Sequence, residues 1–260
     1  MACCNSSVQM IDDPFFYALA IPALLLAGIN KTGFASGLGV LAVPLMSLAV
    51  PPLQAVAIML VVYCVMDLFA MWAYRRTWDR TNLRIILPAG FVGIGAGWLS
   101  AGMLTTPAIK VIVGAIAMLF TLHHWLGPRA IAPRSPMPVK GYVCSAVAGY
   151  ASFLAHAGGP PLSMYLLPQR MAPARYVGTA AMYWGVMNYA KLLPFGALGQ
   201  LDSRNLLTAL VLLPVAPIGT RLGVWINRAI NPVWFYRIVY ALTFAIGAKL
   251  VWDGLGTILA

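Results

Sequence analysis

Apolar residues fill this chain in long blocks separated by short polar or proline-bearing breaks. The first block runs from about Phe15 to Val50 and stops at Pro51 and Pro52; the second runs from Leu53 to Tyr74 and stops at Arg75, Arg76, Trp78 and Arg80. Blocks over about Leu83 to Met103 and Ile109 to Trp125 follow. A polar, proline-rich connection then carries Arg129, Pro133, Arg134, Pro136, Pro138 and Lys140. Beyond it lie blocks from about Gly141 to Leu167, Tyr176 to Leu198, Leu206 to Trp225 and Val233 to Trp252. Roughly twenty apolar residues in a helix cross a bilayer, so the pattern predicts about eight membrane helices.

The second part of the chain repeats the first. Gly33-Phe34-Ala35-Ser36 matches Gly149-Tyr150-Ala151-Ser152, and the same spacing carries Pro44 onto Pro160. Val56, Met66 and Asp67 then align with Val177, Met187 and Asn188, and Pro88, Gly93 and Gly97 with Pro214, Gly219 and Gly223. Matches in one order point to a duplicated four-segment unit, the plan of many transporters. The expected organisation is an N-terminal tail over 1–14, a first membrane repeat over 15–126, a connecting loop over 127–140 and a second repeat over 141–256. The first block of each repeat is too long for one crossing and too short for two. Each is also interrupted, by Gly33, Gly37, Gly39 and Pro44 in one and by Gly149, Gly158, Gly159, Pro160 and Pro161 in the other. A broken or re-entrant first segment in each half is therefore expected. Such a break either exposes backbone N–H groups that hold an anion or allows close packing of helices through small residues.

Composition sharpens the class. Hydrophobic residues make up 61% of 260 positions and charged residues 9%, too few for a soluble enzyme, a disordered chain or a coiled coil. All six acids are Asp, against 17 Lys and Arg, for a net charge of +11. Most of these cations lie in the breaks, where they hold loops against anionic headgroups, and nucleic acid is not an expected partner. Single crossings would put eight loop cations on the side of both termini and five on the other, a slight preference for cytoplasmic termini. Asp12 and Asp13 precede the first apolar block with no basic region ahead of them, so a cleaved signal peptide is not expected. Cys64 and Cys144 fall inside apolar blocks as free thiols, and no metal-ligand spacing occurs.

Polar residues inside apolar blocks are the candidates for chemistry. Lys31 lies deep in the first block, facing protein or substrate or else snorkelling outward. Lys191 follows Asn188 by three residues and shares its helix face. Asp67 occupies the repeat-equivalent place of Asn188 and is either a proton or cation site or the partner of an internal cation. His156, just before the second break, donates to an anion, carries a proton or bonds a carbonyl freed by the break. Gln169 and Arg170 close the second interrupted block, with Arg175 beyond, at a vestibule or as loop anchors. Arg221, deep in the seventh block, has Asp253 or Asp67 as a possible counter-charge.

These motifs together resemble the TauE/SafE family of sulfite exporters, also called the TSUP anion transporters. The residues that carry the likeness are Lys31-Thr32-Gly33-Phe34-Ala35-Ser36-Gly37-Leu38-Gly39, Leu41 to Leu45 and Val50-Pro51-Pro52. In the second half they are Ala155-His156-Ala157-Gly158-Gly159-Pro160-Pro161, Tyr165 to Arg170, Tyr176-Val177-Gly178-Thr179, Asn188, Lys191-Leu192 and Gly199-Gln200. The resemblance implies a bacterial inner-membrane transporter of sulfite, thiosulfate or an organosulfonate.

The expectation is thus an all-α polytopic membrane protein of two homologous halves, moving a small anion by alternating access, with a channel or a non-transporting scaffold as the alternative. The expected anion site comprises Lys31, Gly37, Gly39, His156, Gly158, Gly159, Pro160, Gln169, Asn188 and Lys191, with Asp67 and His156 as coupling residues. No cofactor or metal is expected, and no enzymatic activity. The expected partners are the lipid bilayer, the anion and a coupling proton or ion, with homo-oligomerisation left open.

Overall fold

A computed structural model describes residues 10–31, 41–126, 135–219, 221 and 232–259. Those residues are helical throughout, with no strand among them. The described helices of the first apolar block are α1 (Pro14–Lys31) and the short α2 (Ala42–Met46). Three long helices follow: α3 (Pro52–Ala73), α4 (Arg80–Met103) and α5 (Thr106–Leu126). The fifth block divides into α6 (Pro138–Ala155) and α7 (Gly159–Leu166), which closes in a 3-10 turn over Leu167–Gln169. Then come α8 (Pro173–Ala197), α9 (Ser203–Leu212), a helical stretch at 215–219, and α10 (Pro232–Leu259).

Among the described residues, three helices are long and apolar enough to cross a membrane: α3, α4 and the Thr106–His123 part of α5. At 1.5 Å per residue the 22 residues of α3 reach about 33 Å, matching a hydrocarbon core of about 30 Å. Large apolar side chains cover the outside, among them Phe69 and Trp72 on α3, Val92 and Leu99 on α4, and Met103 at 85% exposure. Such a surface is matched to lipid. The interior is largely apolar too, but Asp67, Asn188 and Lys191 are all buried within it.

Helix starts follow from local chemistry. Asp79 caps α4 by accepting from the Asn82 N–H at 2.8 Å, and Asp202 caps α9 by accepting from the Asn205 N–H at 2.8 Å. Prolines open α3, α6 and α8, where a missing N–H costs nothing. The cap at Asp79 explains why α4 begins before the apolar block that predicted it.

Backbones approach closely where glycines meet. A Cβ on Gly93 would run into the Ala146 carbonyl of α6, and one on Gly149 into the Gly90 carbonyl of α4. Gly149 therefore sits in mid-helix as a packing residue, not at the break where its sequence neighbours had placed it. Gly114 of α5 and Gly247 of α10 face each other in the same manner, a Cβ on the second lying 2.9 Å from the Gly114 carbonyl oxygen. Small residues at crossings are how helices associate without a hydrophobic driving force. Gly93→Ala should cost about 1–3 kcal/mol through overpacking. Gly95→Ala, with open space around that position, should cost nothing and serves as the control. Thermal unfolding of the two variants in detergent checks the difference.

Candidate functional site

α6 ends where its chain turns left-handed. His156 has φ 49° and ψ 25°, its N–H bonding the Ser152 carbonyl at 3.1 Å while the Ala157 N–H reaches back to Ala151 at 3.2 Å. This is a left-handed (αL) helix cap, at a position that glycine usually fills. Histidine there is strained by about 1–2 kcal/mol. Such strain persists only where the surroundings hold it. Gly158 then folds back on α6, so closely that a Cβ would meet the Ala148 carbonyl.

What holds His156 is a buried polar cluster between α3, α6 and α8. Lys191 of α8, with 0% exposure, donates from Nζ to the Ser152 carbonyl at 3.2 Å and to Ser152 Oγ at 3.0 Å. The same ammonium lies 3.0 Å from His156 Nδ1. The other ring nitrogen, Nε2, lies 3.1 Å from the Val56 carbonyl of α3. A carbonyl only accepts, so Nε2 carries the proton, and Nδ1 presents its lone pair to the ammonium. With Lys191 charged, this arrangement calls for a neutral imidazole beside it. Tyr63 packs edge-on against the imidazole, with ring centroids 4.7 Å apart.

One helical turn away on both α3 and α8, Asn188 Nδ2 donates to Asp67 Oδ2 at 2.6 Å. The two positions that align in the repeat are therefore hydrogen-bonded to each other. Asn188 Oδ1 is enclosed with no hydrogen-bond partner among the described residues. Tyr63 lies four residues before Asp67 on α3 and Asn188 three before Lys191 on α8, so the two pairs form one polar seam.

Of the predicted residues, His156, Asn188, Lys191 and Asp67 come together in this seam. Gln169 does not join it. It forms a reciprocal amide pair with Asn82, at 2.9 and 3.1 Å, and donates to the Tyr165 carbonyl at 3.2 Å. Gly159 and Pro160 begin α7 half-buried, while Pro160 and Pro161 have no N–H to offer an anion. The backbone donors at that end are those of Gly158 and Gly159. Gly37 and Gly39 lie outside the described residues. Lys31 ends α1, and its side chain lies outside them too. Arg175 is a loop anchor, paired with Asp79 at 2.8 Å. Asp253 pairs with Lys249 at 2.7 Å, and Arg221 is exposed.

Sequence reasoning missed Ser152 and Tyr63 as members of the seam. Their signal was present in the helical spacing, each lying four residues before a singled-out residue, His156 and Asp67 respectively. It also missed the corner at the start of α4, although Asp79-Arg80-Thr81-Asn82 and Asp202-Ser203-Arg204-Asn205 repeat the same cap.

A lipid-matched exterior around an enclosed polar seam defines an integral membrane protein. Residues 20–250 match the sulfite exporter TauE/SafE family, and the chain belongs to it. A relative from Cupriavidus necator, described as a probable sulfite/organosulfonate exporter TauE, is 27% identical over 167 residues. That stretch covers 64% of this chain and 64% of the relative, just under two thirds of its length. No solved structure matches the chain.

If the seam holds His156 in its left-handed cap, two replacements separate strain from contact. His156→Gly and His156→Ala both lose the ring, but only glycine relieves the backbone. The glycine variant should be about 1 kcal/mol the more stable of the two. Their unfolding midpoints in detergent measure it.

Proposed function

We propose that this protein is a secondary transporter that moves a small sulfur-containing anion, sulfite, thiosulfate or an organosulfonate, across a bacterial inner membrane by alternating access. The observation that carries the reading is the enclosed Lys191 ammonium, held by Ser152 and His156 beside a helix break, in a chain of the TauE/SafE family. A lysine in an apolar helix costs about 2.5–3.5 kcal/mol at the bilayer centre, so its presence calls for a function. A sulfonate or sulfite oxygen offers the ammonium what Ser152 offers now, an acceptor, with a negative charge added. The site of the reading is Lys191, His156, Asn188 and the Gly158-Gly159-Pro160 turn. Lys31, Gly37 and Gly39 are assigned to the same site as the contribution of the first half, and Gln169 is left at the Asn82 corner.

Two homologous halves with about eight crossings fit the element order. A helix, a short helix and three further helical segments occur in each half, α1 to α5 and α6 to α10. The matching caps at Asp79 and Asp202 support the duplication, as do the hydrogen bond between Asp67 and Asn188 and the facing pair Gly114 and Gly247. Residue three of α3, Gln54, reaches Asn205 at the cap of α9, and residue three of α8, Arg175, reaches Asp79 at the cap of α4. Rocking of one half on the other would part α3 from α8 and open the seam to one side.

The test is flux of sulfite and isethionate in proteoliposomes. Wild-type flux should saturate with substrate; a linear rise would mean a channel, and no flux a scaffold. Lys191→Met should remove a charge-assisted contact of about 1.5–3 kcal/mol, weakening substrate binding roughly ten- to hundredfold. Normal transport by that variant would place the anion elsewhere. A proton carried by His156 or Asp67 would make flux follow pH, and a flat profile in the variants and wild type alike would remove both from coupling.

A further inference from the structure

The first two turns of α4 border a cavity of about 560 Å³ lined by Trp78, Arg80, Leu83, Arg84, Leu87 and Pro88. Arg80 and Arg84 are four residues apart, so their side chains rise side by side on one face of the helix, and both are exposed. The Arg80 guanidinium lies over the Trp78 ring, 5.5 Å from its centroid, and the indole N–H is fixed on the Arg75 carbonyl at 2.9 Å. The carboxylate adjacent in sequence, Asp79, is engaged by Arg175 and by the cap of α4. The two guanidinium groups therefore face the groove with no acid paired to them among the described residues.

Below the arginines the same face of α4 turns apolar and stays exposed, through Pro88, Phe91, Val92, Leu99 and Met103. Charge at the interface end and a long apolar stripe beneath it reproduce, in complement, the outline of a phospholipid. Pro88 adds a further feature. Having no N–H, it cannot bond the Arg84 carbonyl, which leaves a backbone acceptor beside the cavity.

We propose that this groove binds one anionic glycerophospholipid, phosphatidylglycerol, with its phosphate between Arg80 and Arg84. Its glycerol hydroxyls donate to the Arg84 carbonyl, and one acyl chain lies along Leu87, Pro88 and Phe91. Charge complementarity selects the class, because a zwitterionic headgroup would bring its own cation toward two arginines. The hydroxyl-bearing headgroup suits the orphaned carbonyl. The proposal depends on membrane insertion alone and not on what the protein transports.

Native mass spectrometry of the detergent-purified full chain tests it, with phosphatidylglycerol and phosphatidylcholine of the same acyl chains titrated in turn. Wild type should retain one phosphatidylglycerol in preference to phosphatidylcholine. R80Q/R84Q should weaken phosphatidylglycerol binding about tenfold or more and abolish the preference. Arg75→Gln, which removes a neighbouring cation seated over Trp72, should leave both intact. Leu87→Trp fills the cavity with the cations untouched and should lower retention, which decides the matter if the double variant does not fold. Equal retention of the two lipids, unchanged binding in R80Q/R84Q or Leu87→Trp, or an equal loss in Arg75→Gln would overturn the proposal. Displacement by inorganic phosphate would do the same, marking a free-anion site instead.

Discussion

An ammonium enclosed among apolar helices must be solvated by the protein, and much of the described interior is arranged around that requirement. Lys191 takes its acceptors from the last turn of α6, where Ser152 gives both a carbonyl and a hydroxyl. The Ser152 carbonyl also receives the His156 N–H, so the same atom that ends the helix serves the lysine. His156 must then adopt a left-handed backbone to place Nδ1 on the ammonium, and the Val56 carbonyl of α3 holds the opposite side of its ring. One charge thereby links the end of α6 to both α3 and α8. Breaking such an arrangement from one side leaves a buried charge or an orphaned acceptor, which costs far more than the net value of the bonds.

The break after α6 follows from the same geometry. Once His156 has turned the chain, Gly158 passes against Ala148 at a distance no side chain would allow, and Pro160 and Pro161 start α7 in a new direction. Its prolines remove two of the four donors a helix start normally exposes. The turn keeps the backbone amides of Gly158 and Gly159, a smaller set of donors than an ordinary helix terminus offers.

Around the seam, two corners tie helix starts together, and they differ in kind. At the start of α4, Asp79 binds Arg175 while Asn82 pairs with Gln169; at the start of α9, Asn205 bonds Gln54 and the Gln200 carbonyl. One corner is ionic, and the other is made of neutral amides. In the proposed pair of halves these would be equivalent places, sharing their cap residues and differing in what each cap holds. A charged corner and a neutral one respond differently to salt and solvent access.

The membrane class, the helical content and the site of the second break could be read from apolar block lengths and from Gly158-Gly159-Pro160-Pro161, because both reflect local physics: bilayer thickness and the backbone limits of glycine and proline. Asp67 and Asn188 could be matched by repeat alignment, and His156 and Lys191 singled out as polar residues where lipid would reject them. Their contacts could not be read. Spacing placed Asn188 and Lys191 on one face of α8, but that this face meets Ser152, 39 positions away, and Asp67, 121 away, depends on how helices cross. Gly149 carried the same ambiguity, since glycine serves a break and a close crossing equally, and only the nearness of Gly90 decides for the crossing. The sequence by itself determined which residues could not face lipid, since the cost of burying charge is a property of the residue. Tertiary structure decided which of them meet, since hydrogen bonds act over about 3 Å and only packed helices bring distant positions that close.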